Sequence, residues 1–179
     1  EKFLNIKCRK AGLVPNCVVI VATIRALKMH GGVEKEDLKK EDIEALIRGL
    51  VNLERHIENI KKFGLEPIVA INNFITDTNK EIKIVFDFCK KLKVEISECK
   101  HWAQGGKGAT DLAKKVVKIC KNSNKKKFRY LYKTSDKLLE KIDLIAKQIY
   151  RANKVEINQE VRDQLKMFES SGYGHLPIC

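Results

Sequence analysis

Pro67-Ile68-Val69-Ala70-Ile71-Asn72-Asn73-Phe74-Ile75-Thr76-Asp77-Thr78 is a short apolar run that breaks abruptly into amides, an aromatic ring and a carboxylate. A run this short, led by proline and rich in β-branched residues, predicts a buried strand, and the polar turn after it predicts the loop at the strand's C-terminal end. Thr78 stands three residues before Glu81, the spacing of a capping box, and Ile82, Val85, Phe86, Cys89 and Leu92 follow at helical period, so the turn feeds a helix. In an open parallel sheet, ligands bind at this edge. An ordinary strand-to-helix turn accounts for the same residues, and this stretch alone does not separate the two readings.

Upstream, Cys17-Val18-Val19-Ile20-Val21-Ala22 is a near-continuous apolar run, the pattern of a strand buried on both faces. Its exit, Thr23 to Gly32, packs the basic side chains Arg25, Lys28 and His30 beside a glycine pair. Between the two strands, Ile43, Leu46, Ile47, Leu50, Val51, Leu53, Ile57 and Ile60 define a long amphipathic helix stopped by Gly64 and Pro67. Downstream, Val94-Glu95-Ile96-Ser97-Glu98 alternates as a third strand with Cys99 to Gly108 as its exit. A helix follows through Leu112, Ala113, Val116, Val117 and Cys120. Strand and helix thus alternate three times, which predicts an α/β fold with a parallel sheet and flanking helices. The three polar exits then share one edge and face a common crevice.

The character changes beyond Asn124. Lys125-Lys126-Lys127, beside Asn122-Ser123-Asn124, reads as a solvated linker, and Phe128 to Tyr132 as an extended segment. Leu138, Leu139, Ile142, Ile145, Ala146 and Ile149 mark a helix, and Asn158 caps another through Val161, Leu165 and Phe168. The expected division is therefore residues 1–122 as the later half of a core, with Lys2 to Asn16 as a basic lead-in. Residues 123–179 are then a linker and the start of a second, helix-rich α/β unit. The absence of an initial methionine and the break at Cys179 read as the ends of an internal piece of a longer protein.

The 179 residues carry a formal charge of +13, which makes anions the expected partners: nucleic acid, a nucleotide or a small anionic substrate. Most of the lysines fall at helix-surface positions, where a solvated face explains them. The six cysteines are scattered, with no CxxC pair, as suits reduced thiols of a cytosolic protein, and no zinc site is expected. The apolar runs are too short to cross a membrane.

A nucleotide fits the crevice. Its base needs an apolar or aromatic surface and a few amide or carboxylate groups on its edge, types that Asn72, Asn73, Phe74 and Asp77 supply. The phosphates need backbone donors and cations, yet the chain holds no GxxxxGK[ST] loop. Gln104-Gly105-Gly106-Lys107-Gly108-Ala109-Thr110 lacks the first glycine at that spacing and serves at most as a flexible loop near a ligand. Competing structural readings stand beside these. His30 and His101 read first as loop histidines bonded to backbone, Trp102 as a buried anchor, and Arg25 and Lys28 equally as salt-bridged scaffold.

Val21-Ala22-Thr23-Ile24-Arg25-Ala26-Leu27-Lys28-Met29-His30-Gly31-Gly32 resembles a signature motif of the formate–tetrahydrofolate ligase family. Further blocks resemble that family in the same order: Glu1 to Arg9, Asn52 to Asn59, Ala70 to Thr78, His101 to Gly108 and Gly172 to Cys179. Ile75 stands where the family usually has proline, and His175 where it usually has asparagine. The resemblance implies an ATP-dependent cytoplasmic ligase that phosphorylates formate to formyl phosphate and passes the formyl group to tetrahydrofolate. It also implies Mg2+ on the phosphates, a homo-oligomeric complete protein, no membrane and no nucleic acid. The chain then covers about a third of the family's length, within a P-loop NTPase-like core whose phosphate loop lies elsewhere, and is inactive alone. Asn72, Phe74, Thr76, Asp77, Trp102, Ala103, Gly105 and Gly106 are the implied ATP contacts. Arg25, Lys28 and His30 are the implied catalytic residues beside a transferring group, with the main catalytic residues outside this stretch. A basic module that binds nucleic acid, or an inactive ligase homologue, is the alternative.

Overall fold

The computed structural model describes residues 1–124 and 127–179; of the expected solvated linker, Lys125 and Lys126 lie outside the described residues. A π-type helix, Lys2–Cys8, continues into α1 (Arg9–Ala11). Then follow β1 (Val18–Ala22), α2 (Ile24–His30), α3 (Ile43–Lys62), β2 (Pro67–Asn72), α4 (Asn79–Lys91), β3 (Glu95–Cys99), α5 (His101–Gln104) and α6 (Thr110–Asn122). α7 (Leu138–Tyr150) and α8 (Gln159–Phe168) follow, and a π-type helix, Glu169–Tyr173, completes the order. The chain divides into two compact units, Pro15–Lys125 and Glu1–Val14 with Lys126–Cys179.

The first unit is a three-stranded parallel sheet in the order β1-β2-β3, flanked by helices. Val18 pairs with Pro67 and Ala22 with Ile71, while Ile68 pairs with Glu95 and Asn72 with Cys99, so the three strands end level with one another. β2 is central, and Ile68, Val69, Ala70 and Ile71 are all buried, as a strand covered on both faces requires. β1 departs from the same expectation. Val21 is 67 % exposed and Val19 is exposed as well, because β1 is an edge strand among the described residues and one of its faces stays open.

The core lies on the face where Val69 and Ile71 meet Ile24 and Leu27 of α2, Leu46, Leu50, Leu53 and Ile57 of α3, and Val85 and Cys89 of α4. α2 and α3 touch backbone to backbone. A Cβ on Gly49 would stand 1.8 Å from the Leu27 carbonyl oxygen, and one on Gly31 would stand 1.8 Å from that of Ala45, so neither position tolerates a side chain.

The second unit is held by long-range ties between its first residues and Tyr130 to Tyr132, and between Lys141 and residues up to Leu176. The buried Asn5 accepts from the Leu131 amide (3.1 Å), and Arg9 donates to the Tyr132 carbonyl (2.7 Å) with its guanidinium over the Tyr130 ring. These contacts draw Glu1–Val14 into this unit, whereas the sequence division joins it to the core. Lys141, buried without a carboxylate at its ammonium among the described residues, donates to the carbonyls of Thr134, Gly174 and Leu176. The described residues of this unit form helices and no strand, and Phe128 to Tyr132 runs without helix or strand between α6 and α7.

Candidate functional site

Because the strands are parallel and in register, their C-terminal ends bring three loops to one edge. At β1, the Thr23 hydroxyl accepts from the Ala26 amide (3.0 Å) and starts α2 at once, which sets Arg25 in the first turn. At β2, the Phe74 amide donates to the Asp77 carboxylate (2.8 Å), and the Asp77 amide donates back to the Phe74 carbonyl (2.9 Å). This closes a tight turn with Ile75 at its tip, 84 % exposed. Thr78 and Glu81 then form the capping box that begins α4.

The loops are tied to one another. An Arg25 Nη2–H donates to Thr76 Oγ1 (3.1 Å), and the Arg25 guanidinium lies 4.4 Å from the centre of the Phe74 ring, a cation–π contact. Arg25 Nε is buried and has no hydrogen-bond partner among the described residues. The Asn73 amide donates to the Cys99 carbonyl (3.0 Å), extending the β2–β3 ladder, and the Asn73 carbonyl accepts from the Trp102 indole N–H (2.8 Å). The Lys100 amide donates to the Gly108 carbonyl (3.0 Å) and closes the third loop on itself. Trp102 is anchored by its nitrogen but 57 % exposed, so it is a fixed, open aromatic surface rather than a buried anchor. Ala103, Gly105 and Gly106 are exposed beside it, and Asn72 is half-buried at the end of β2.

The three basic residues of the first loop part company. Arg25 joins Phe74 and Thr76, but Lys28 is 1 % exposed, with its ammonium 2.8 Å from Glu81 Oε1 and 2.6 Å from the Lys40 carbonyl. It is buried in the scaffold rather than open to a ligand. His30 is exposed at the far end of α2, roughly 10 Å along the helix axis from its start. Glu81 caps α4 as its spacing predicts, and it also accepts from the Asp42 amide (3.3 Å) and so connects α2, α3 and α4. No local pattern links Lys28 to Glu81; the fold alone makes that pair.

Burial pushes the Asp77 carboxyl above its ordinary range. The Phe74 amide opposes that shift, Glu81 adds to it, and Arg25 and Lys28 oppose it. Among the described residues, no group of three or more His, Cys, Asp and Glu is placed to hold a metal ion.

A sequence profile described as Formate--tetrahydrofolate ligase matches residues 1–179. The formate--tetrahydrofolate ligase of Pelagibacter ubique is 58 % identical over 179 residues, all of this chain and 32 % of that protein. The protein of the same description from Hyphomonas neptunium is 55 % identical, again over the whole chain and 32 % of its own length. That of Rhizobium rhizogenes is 51 % identical over the same shares. The chain thus spans about a third of the length of these curated relatives, and from its first residue to its last it belongs to the formate–tetrahydrofolate ligase family.

Proposed function

We propose that this chain is a segment of an ATP-dependent ligase that forms 10-formyltetrahydrofolate, and that the loop edge of its sheet receives the planar base of the nucleotide. In the complete reaction, a formate oxygen attacks the γ-phosphorus of ATP, giving formyl phosphate and releasing ADP. The N10 amine of tetrahydrofolate then attacks the formyl carbon and expels phosphate. The observation that carries the reading is the meeting of Arg25, Phe74, Thr76 and the open Trp102 at one strand edge. An aromatic plane, amide edges and a cation are what a nucleobase and its polar substituents need.

Arg25 already covers part of the Phe74 ring, so Trp102 supplies the freer surface, while Asn72 and Asp77 shape or bond the edge. The guanidinium, with a buried nitrogen that has no partner among the described residues, adds positive potential where anionic substrates approach. His30 stands apart from this group, and Lys28 acts through the scaffold. Magnesium accompanies ATP on its phosphates. No helix among the described residues is long and apolar enough to cross a membrane. The free cysteines suit the cytoplasmic location taken for the enzyme. The complete protein is taken as a homo-oligomer.

The test uses the full-length protein with Phe74→Ala and Trp102→Ala, measuring ATP and tetrahydrofolate binding alongside thermal unfolding. Each variant is expected to bind ATP about tenfold more weakly or worse, with folate affinity little changed. A loss confined to tetrahydrofolate would instead assign the aromatic surface to the pterin ring. Unchanged affinity for both in folded variants would leave the edge with no ligand role.

A further inference from the structure

Two cysteines distant in sequence meet in the sheet unit. Cys17 precedes β1 and Cys120 lies near the end of α6, 103 positions on, yet their sulfurs are 3.7 Å apart. Both are half-buried, within reach of a small diffusible reagent, whereas Cys8, Cys89 and Cys99 are buried. They sit where the first strand begins, at the edge opposite the loops that carry Arg25, Phe74 and Trp102.

We propose that Cys17 and Cys120 are a reversible redox modification site that closes an intramolecular disulfide when the protein meets a peroxide or a low-molecular-weight disulfide. Closure requires the sulfurs to approach from 3.7 Å to about 2.05 Å, a change on the scale of side-chain rotation. With hydrogen peroxide, one thiolate attacks a peroxide oxygen and the O–O bond breaks. The sulfur becomes a sulfenic acid and the other oxygen leaves as water. The second sulfur then displaces the sulfenic hydroxyl, which takes a proton and leaves as a second water. Two thiols are oxidised and one peroxide is reduced. With oxidised glutathione, two successive exchanges release two glutathione thiols.

Burial, with the Cys120 hydrogen bond and charge interaction adding to it, pushes the Cys17 thiol up to about 11. The thiolate is the nucleophile, so the pair is slow near neutral pH and closes faster as pH rises toward that value. The bond joins the residue before the first strand to the last helix of the unit and encloses all three strands, which restricts the unfolded chain.

The experiment treats the full-length protein with hydrogen peroxide, or separately with oxidised glutathione, and maps non-reduced peptides by mass spectrometry. The expected result is a peptide pair joining Cys17 to Cys120 and a thermal midpoint that rises on oxidation and returns with dithiothreitol. Both are absent in Cys17→Ser and Cys120→Ser, near-isosteric changes that keep the fold. Closure is also faster at about pH 9 than at about pH 7. Separate glutathione adducts or sulfinic acids with no joined peptide, or a bridge to Cys179 instead, would overturn the proposal.

Discussion

At the scale of single residues, the buried cation decides more than its place in the sequence suggests. Lys28→Met leaves Glu81 charged, buried and without its cation, which costs about 3–5 kcal/mol. Urea unfolding should show that loss whether or not substrate is present; a variant as stable as the parent would mean that the pair contributes nothing to the fold. Asp77 has the opposite sense from most carboxylates. Its folded pKa is raised from the ordinary 3.8, so its contribution to stability is complete below that value and is lost as pH rises through the raised one. Asp77→Asn keeps an acceptor for the Phe74 amide and removes the buried charge. Thermal unfolding from about pH 3 to about pH 7 should show the variant level with the parent in acid and more stable near neutrality. The same pH dependence in both proteins would place the shift elsewhere.

At the scale of elements, capping and periodicity were legible where they are local. Thr78 with Glu81 forms the capping box its spacing suggested, Asn158 accepts from the Val161 amide, and α3 and α4 follow their apolar stripes. α2 was not legible, because its seven residues make only about two turns and read as a basic strand exit. It holds its place through the Thr23 cap and its contact with α3 at Gly31 and Gly49. Gly49→Ala sets two effects against each other. Helix propensity favours alanine by about 1 kcal/mol, while a methyl 1.8 Å from the Leu27 carbonyl forces the helices apart at about 1–3 kcal/mol or more. Net destabilisation in chemical denaturation is expected, and a stabilised variant would show that α2 moves away at little cost.

At the scale of the whole molecule, these residues include no phosphate-gripping loop, so the 179-residue chain by itself should not turn over formate, ATP and tetrahydrofolate. Phosphate release assayed on the purified chain, beside the full-length protein, checks this; turnover by the chain alone refutes it. The α/β class, the three parallel strands and the common loop edge were determined by the sequence itself, because hydrophobic period, β-branching and caps act over a few neighbouring residues. The tertiary structure alone decided the rest. It left Val21 open on an edge strand, drew Glu1–Val14 to the C-terminal segment through Asn5 and Arg9, and separated Lys28 from Arg25. These outcomes depend on partners far apart in the chain, such as Val21 and Ala70, 49 positions apart, Arg25 and Thr76, 51 apart, or Asn5 and Leu131, 126 apart. Contacts of that range leave no periodic trace in the chain, since they exist only once the packed core has fixed where every loop ends.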